Sequence, residues 1–246
     1  MAKGTIFSFE RYEKKYFLTE AQMHRLLGIM DRYLKPDAYG EYTVCNIYYD
    51  TDDWRIISAS CEKPDYKEKL RVRSYGVPEA GDNVFAELKK KCSGIVYKRR
   101  IVTAADEITA FLNRTDLAGS QIENEIMWFQ KVYKTHPKVF IGYDRTAFSG
   151  KFDPGLRITF DRNIRFRTDR LDLRLGDDGT PLNTNGLVLM EIKIPGVCPL
   201  WLSEILSENS VFPTSFSKYG AFYKEQILKS RPAAAELQKK EMQISA

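Results

Sequence analysis

Lysines and arginines recur at every second position along several β-patterned stretches of this sequence, and that spacing decides what they can do. Residues two apart in a strand share a face. In YKEKLRVRSY, Lys67, Lys69, Arg71 and Arg73 share one face while Tyr66, Glu68, Leu70 and Val72 take the other. FAELKKK repeats the pattern with Glu87, Lys89 and Lys91, and Lys98 and Arg100 follow beyond Ser93-Gly94. Arg11, Glu13 and Lys15 align in RYEKKY, Tyr143 and Arg145 in IGYDRTAF, Arg157, Thr159 and Asp161 in LRITFD, and Glu191 and Lys193 in LVLMEIKI. The solvated face of an antiparallel sheet ordinarily mixes signs, whereas here cations far outnumber Glu13, Glu87, Asp161 and Glu191. Like charges side by side repel, so such a face persists best when a polyanion or phosphate chain occupies it. Carboxylates set among those cations are hard-oxygen ligands suited to Mg²⁺ or Mn²⁺. Glu191 is the leading candidate, and Glu13 and Glu87 are balanced between metal binding and internal salt bridging.

The elements that must carry these faces follow from periodicity. A strand over residues 5–17 precedes a helix that Thr19 and Gln22 open as a capping box, with Met23, Leu26, Leu27, Met30 and Leu34 on one face and its end near Pro36. Strands are predicted at 42–50, 66–75, 84–91, 95–102, 139–148, 156–160 and 187–194, with a shorter segment at 171–175 and a hairpin turn at Ser93-Gly94. Helices are predicted over 103–112, capped by Thr103, over 120–134, and over 217–228 at the end. About eight strands can close one sheet, and the opposite, apolar face matches apolar stripes on the helices. The fold class is therefore α+β, an eight-stranded antiparallel β-barrel with a polar, basic lumen and helices packed outside. That inverts a small barrel with an apolar interior. Residues 1–230 form one domain, and the polar tail 231–246 is expected to fray.

Composition removes other classes. The 246 residues are 43% hydrophobic and 13% aromatic with a net charge of +5, a globular protein rather than a basic tail. Four Cys without a CxxC pair and only two His argue against a zinc site or disulfide framework. The sequence holds no GxGxxG after a strand and no GxxxxGK[ST]. No apolar run of signal-peptide or membrane-spanning length occurs, which points to a cytoplasmic protein with no membrane span of its own, compatible with a membrane partner. Aromatics are expected mainly on the face opposite the cations, which argues against nucleic acid as a partner.

The segments RYEKKY, YKEKLRVRSYG, FAELKKK with SGIVYKRR, YDRTAF, LRITFD, LMEIK and FSKY, in that order across residues 7–228, resemble the triphosphate tunnel metalloenzyme (CYTH-like) superfamily. Within it they are most similar to the polyphosphate polymerase domain of vacuolar transporter chaperone proteins and their bacterial relatives. The resemblance implies a tunnel that binds ATP and inorganic polyphosphate and uses Mn²⁺ or Mg²⁺. It implies phosphate-contacting roles for Lys15, Arg71, Arg73, Lys89, Lys98, Tyr143, Arg145, Arg157, Ser217 and Lys218, and a metal-binding role for Glu191. Arg11, Lys69, Lys91 and Lys193, on the same face, extend the substrate-binding set. Arg11 stands where the wider superfamily begins a Glu-x-Glu-x-Lys strand, which favours the polymerase branch. Ser60 falls where the eukaryotic domain has a further arginine, leaving Lys63, Lys67 or Lys69 to substitute. The expected reaction is metal-dependent transfer of the ATP γ-phosphoryl group to a growing polyphosphate chain. The alternatives are a metal-dependent tripolyphosphatase and a non-catalytic polyphosphate or inositol-polyphosphate binding module. Lys218, in the first turn of a helix capped by Ser217, conflicts with the helix dipole, so its removal is expected to leave ligand-free stability unchanged or slightly raised.

Overall fold

The computed structural model describes residues 11–93, 95–116 and 119–229, and of Arg11 the backbone alone. The tail 231–246 and Gly94 of the predicted hairpin turn lie outside the described residues. Among the described residues nine strands form one antiparallel sheet: β1 (Arg11–Leu18), β2 (Leu34–Asp50), β3 (Tyr66–Tyr75), β4 (Asn83–Cys92), β5 (Ile95–Ala104), β6 (His136–Gly150), β7 (Arg157–Arg167), β8 (Thr180–Pro181) and β9 (Val188–Pro195). Their hydrogen-bonded order is β1-β9-β7-β6-β2-β3-β4-β5, with β8 paired to β7. β1 and β5 therefore stand at opposite ends of the backbone ladder. Glu13 on β1 nevertheless reaches Lys89 on β4 at 3.7 Å, so the sheet curls until its two ends meet through side chains.

The period-two segregation of charge and apolar residues explains the curl. On the convex side, Leu70, Val72, Ala86 and Leu88 pack under α3 (Ile108–Leu112) and α4 (Gln121–Tyr133), through Phe111, Ile126 and Phe129. Ile158, Phe160, Met190 and Ile192 pack under α1 (Glu20–Met30) and α5 (Leu200–Glu208), through Met23, Leu26, Leu202 and Ile205. Each such fully buried side chain contributes roughly 1.5–3 kcal/mol of transfer free energy. The helices thus hold the apolar face outward, and the charged face is left inside.

Capping boxes open α1, from Thr19 and Gln22, and α4, from Ser120 and Glu123. Four local expectations are corrected, the first being that the opening helix ends at Met30 and leaves Leu34 to begin β2. The helix predicted from Thr103 is strand to Ala104, because Val102 and Thr103 continue the β4 ladder opposite Phe85 and Val84, and helix begins only at Ile108. The predicted segment at 171–175 is a 3₁₀ turn, Leu173–Leu175, in which the Asp172 side chain accepts from the Arg174 N–H. The predicted closing helix is a short α6 (Lys218–Phe222) running into a π-turn (Tyr223–Leu228). α2 (Arg55–Cys61) and α6 also differ in location from the other helices. Ile57, Tyr219, Phe222 and Tyr223 cluster with Tyr48, Val139, Ile141 and Leu189, so α6 plugs part of the concave side with aromatic side chains.

Candidate functional site

Two carboxylates organise the cations of the concave face. Glu87, in the middle of β4 and 1% exposed, sits directly between Arg71 of β3 and Arg100 of β5 in the ladder. It accepts from Arg71 Nε at 2.9 Å and Nη2 at 2.7 Å, from Lys98 Nζ at 2.7 Å and from Arg100 Nε at 2.8 Å, with Arg73 Nε at 3.9 Å. Burial opposes its ionisation, but Arg71, Arg73, Lys98 and Arg100 outweigh burial and hold the carboxyl well below the usual carboxylate range. Across the curl, Asp161 of β7 is fully buried, accepts from Arg145 Nε at 2.6 Å and Nη2 at 2.8 Å, and pairs with Lys218 at 2.5 Å. Burial again opposes charge on Asp161, and Lys218 and Arg145 again lower its pKa.

A third group lies on β1 and β9, at one end of the ladder. Glu191 pairs with Lys193 at 2.7 Å and lies 4.0 Å from Lys15, whose ammonium is 3.3 Å from Glu13. The β1–β9 register sets Lys15 opposite Glu191 and Glu13 opposite Lys193, which brings both carboxylates to the same ammonium. Burial disfavours charge on Glu191, yet Lys193, Lys15, Arg145 and Lys218 keep it ionised far below its ordinary pKa. Glu13 is lowered too, against burial and Glu191, by Lys89 and Lys15.

The remaining predicted residues take their places around these groups. Arg73 donates to Asn46 Oδ1 at 2.8 Å and to the Tyr143 hydroxyl at 3.1 Å, and Arg71 donates to the Tyr48 hydroxyl at 3.2 Å. Lys69 reaches Ser217 Oγ at 3.4 Å. Arg157, half exposed at one mouth, pairs with Asp37 at 2.9 Å. Lys91 stands opposite Lys67 at the other end, where a cavity of about 300 Å³ is bordered by Lys63, Lys67, Lys91 and Ser215. Nothing is described of the Arg11 side chain beyond its strand position. Sequence reasoning missed Asn46 and Tyr48, which are buried in the apolar run of β2, and Asp50. The buried Asp50 carboxylate accepts from the N–H groups of Ile56 and Ile57 at 2.9 Å each and from the Tyr219 hydroxyl at 2.7 Å. It thereby anchors α6, and the residue pattern offered no signal for that pairing.

Two expectations change here. Aromatics are not confined to the apolar face: Tyr42, Tyr48, Tyr75, Phe85 and Tyr143 share the concave side with the cations, and the Arg100 guanidinium lies 4.4 Å from the Phe85 ring centroid. Tyr75, at the end of β3, is half exposed at the mouth. Lys218 is also no idle charge. Its pairing with buried Asp161 and its position 4.0 Å over the Tyr143 ring mean that Lys218→Ala should lower the ligand-free melting temperature rather than raise it. The loss should correspond to about 1–3 kcal/mol, because Arg145 still satisfies the carboxylate, and thermal denaturation measures it. Ser217 does cap α6, accepting from the Gly220 N–H at 3.2 Å.

Burial brings Lys69 and Lys98 down to about 8, in spite of Glu87 in the case of Lys98 and helped by Lys67 and Lys89 in the case of Lys69. Both ammoniums are therefore partly discharged in the ligand-free protein just above pH 8. A polyanion entering the face favours their charged forms and raises both pKa values, so binding at pH 8.5 should take up protons and at pH 6.5 should not. Titrating tripolyphosphate calorimetrically in buffers of different ionisation enthalpy measures that uptake, expected to be at most about 1.5 protons per site at pH 8.5.

The donor set also suits a divalent cation. Glu13 and Glu191 are ionised and adjacent, and Thr159, opposite Glu191 in the ladder, has a buried hydroxyl with no hydrogen-bond partner. Among the described residues no cluster of three Asp, Glu, His or Cys forms a closed metal site. Two carboxylates with phosphate and water completing the shell is the usual arrangement for Mg²⁺. Glu87 does not fit such a role, because its oxygens are taken by four cations.

No curated protein sequence matches the chain. Among solved structures, a Bacillus halodurans protein described as a candidate adenylate cyclase superposes with a TM-score of 0.52 at 13% identity, covering 89% of this chain and 96% of that one. An adenylyl cyclase candidate from Hippeastrum, reported to have a dominant triphosphatase activity, gives a TM-score of 0.50 at 16% identity, covering 87% of this chain and 96% of that one. At these identities the likeness shows a shared fold. The sequence model of the VTC domain matches residues 10–225, nearly the whole ion-paired sheet from β1 to α6, and the chain belongs to the VTC domain family.

Proposed function

We propose that this protein binds ATP and inorganic polyphosphate on its concave face and transfers the γ-phosphoryl group of ATP to the end of a polyphosphate chain. The observation that carries the reading is the convergence of Arg71, Arg73, Lys98 and Arg100 on one side and Arg145 and Lys218 on the other, each set held by a buried carboxylate. Phosphate oxygens replace or share those carboxylates as partners, and the fixed cations stabilise charge spread over the transferred group. Lys15 and Lys89, both paired with Glu13, close the face between the two sets. Glu191 and Glu13 would hold Mn²⁺ or Mg²⁺, which would supply charge neutralisation on the phosphate chain.

The state of the carboxylates favours a phosphate acceptor over water. Glu13, Glu87, Asp161 and Glu191 are all held ionised by cations, which makes them weak proton acceptors near neutral pH. A chain-end phosphate is already anionic and needs no base. Lys218→Ala should weaken tripolyphosphate binding at least tenfold, about 1.4 kcal/mol.

Incubation of the purified protein with ATP and Mn²⁺, followed by separation of ADP, orthophosphate and long-chain polyphosphate, tests the proposal. ADP with long-chain polyphosphate is the expected outcome. Orthophosphate as the sole phosphate product would make the protein a hydrolase, and intact ATP would leave it a binding module.

A further inference from the structure

At one mouth of the concave face the aromatic side chains form a continuous group. Tyr42 and Tyr75 meet edge to face at 5.9 Å between centroids, Tyr75 and Phe85 at 5.7 Å, and Tyr39 and Tyr42 at 6.2 Å. In each edge-to-face pair one ring turns its edge to one face of the other, so a contact covers a single face and leaves the opposite faces free of ring neighbours. Tyr39 is 77% exposed and Tyr75 49%, and Tyr42 between them is half-buried. The group borders the cations directly. The Tyr75 hydroxyl accepts from Arg100 Nη2 at 3.4 Å, Phe85 lies under the same guanidinium, and Tyr42 stands opposite Arg145 in the β2–β6 register.

An exposed π surface beside a cluster of arginines is complementary to one ligand class: a planar aromatic base joined to a phosphate chain. We infer that Tyr42 and Tyr75 form a stacking platform for the base of a nucleoside triphosphate whose phosphates lie against Arg71, Arg73 and Arg100. The platform divides the labour of binding. Inorganic chains need only the cations, whereas the nucleotide donor gains a second contact outside them, so the mouth bearing Tyr42 and Tyr75 is where the donor enters and the nucleoside diphosphate leaves. Stacking tolerates any base, because each has a π face. The inference rests on the reading of the concave face as a triphosphate site.

Isothermal titration of ATP and of tripolyphosphate, each without metal, against the parent, Tyr42→Leu, Tyr75→Leu and Tyr42→Phe separates the two claims. Leucine at either position should weaken ATP about tenfold or more while changing tripolyphosphate less than twofold, and phenylalanine should retain both affinities. The fluorescence of 2-aminopurine riboside triphosphate should be quenched on binding to the parent and to Tyr42→Phe, and much less on Tyr42→Leu. Leucine variants that bind ATP as the parent does, or that lose ATP and tripolyphosphate equally, would overturn the platform while leaving the phosphate site intact. A parent that binds neither ligand would overturn the underlying reading and the platform with it.

Discussion

Replacing Glu87 by Gln should lower the ligand-free melting temperature by on the order of 10 °C, and tripolyphosphate should restore much of the loss. Glu87 neutralises Arg71, Arg73, Lys98 and Arg100 at once. Removing one partner of a buried ion pair costs roughly 3–5 kcal/mol, because the charges left behind stay desolvated. Lys98 and Arg100 are 43% and 33% exposed at the side chain and can turn to water, whereas Arg73 at 8% cannot, so the lower end of that range applies. For a chain of this size about 3 kcal/mol corresponds to roughly 10 °C. A phosphate chain supplies the missing anions, so its stabilising shift should be larger in the variant than in the parent. Differential scanning calorimetry with and without tripolyphosphate checks both points. Equal shifts in parent and variant would mean that the ligand does not meet these four cations.

Glu191→Gln should have the opposite profile. The variant keeps its shape, Lys15 retains Glu13, and the freed Lys193 adds to the positive field, so metal-free tripolyphosphate affinity should be unchanged or slightly higher. Turnover of ATP with Mn²⁺ should fall by about 10²–10³, the usual consequence of losing one preorganised electrostatic group. Turnover measured as ADP release, alongside Mn²⁺ affinity by electron paramagnetic resonance, distinguishes a ligand from a structural partner. Parent-like Mn²⁺ affinity and ADP release in the variant would assign Glu191 to pairing with Lys193 alone.

Much of the site could be read from the chain because strands place charges at period two, and a face rich in Lys and Arg at alternate positions declares itself without any knowledge of partners. What holds that face together was not readable. The meeting of Arg71, Glu87 and Arg100 depends on the register of three strands, and Asp161 finds Lys218 across 57 positions of sequence. Local patterning carries no information about either. The same limit hides α5: local patterning predicts no element between Pro195 and Phe216, although Leu202, Ile205 and Leu206 cover β7 and β9. The sequence predicts α6 outside the sheet for a subtler reason. Tyr219, Phe222 and Tyr223 look like the apolar stripe of an outer helix, and only the Asp50–Tyr219 hydrogen bond and the Tyr48–Tyr219 stack, with centroids 4.5 Å apart, show that they fill the concave side.

The central claim is that the ion-paired concave face is a site for linear phosphate chains. Calorimetric titration of tripolyphosphate against orthophosphate, at neutral pH and at two salt concentrations, tests it most directly. The account predicts one tripolyphosphate per chain, bound at least a hundredfold more tightly than orthophosphate and more weakly as salt rises, since several fixed cations act on one ligand. Tripolyphosphate binding no tighter than orthophosphate would contradict it, because cations already satisfied by Glu87, Asp161 and Glu191 would then be structural pairs and not a binding surface.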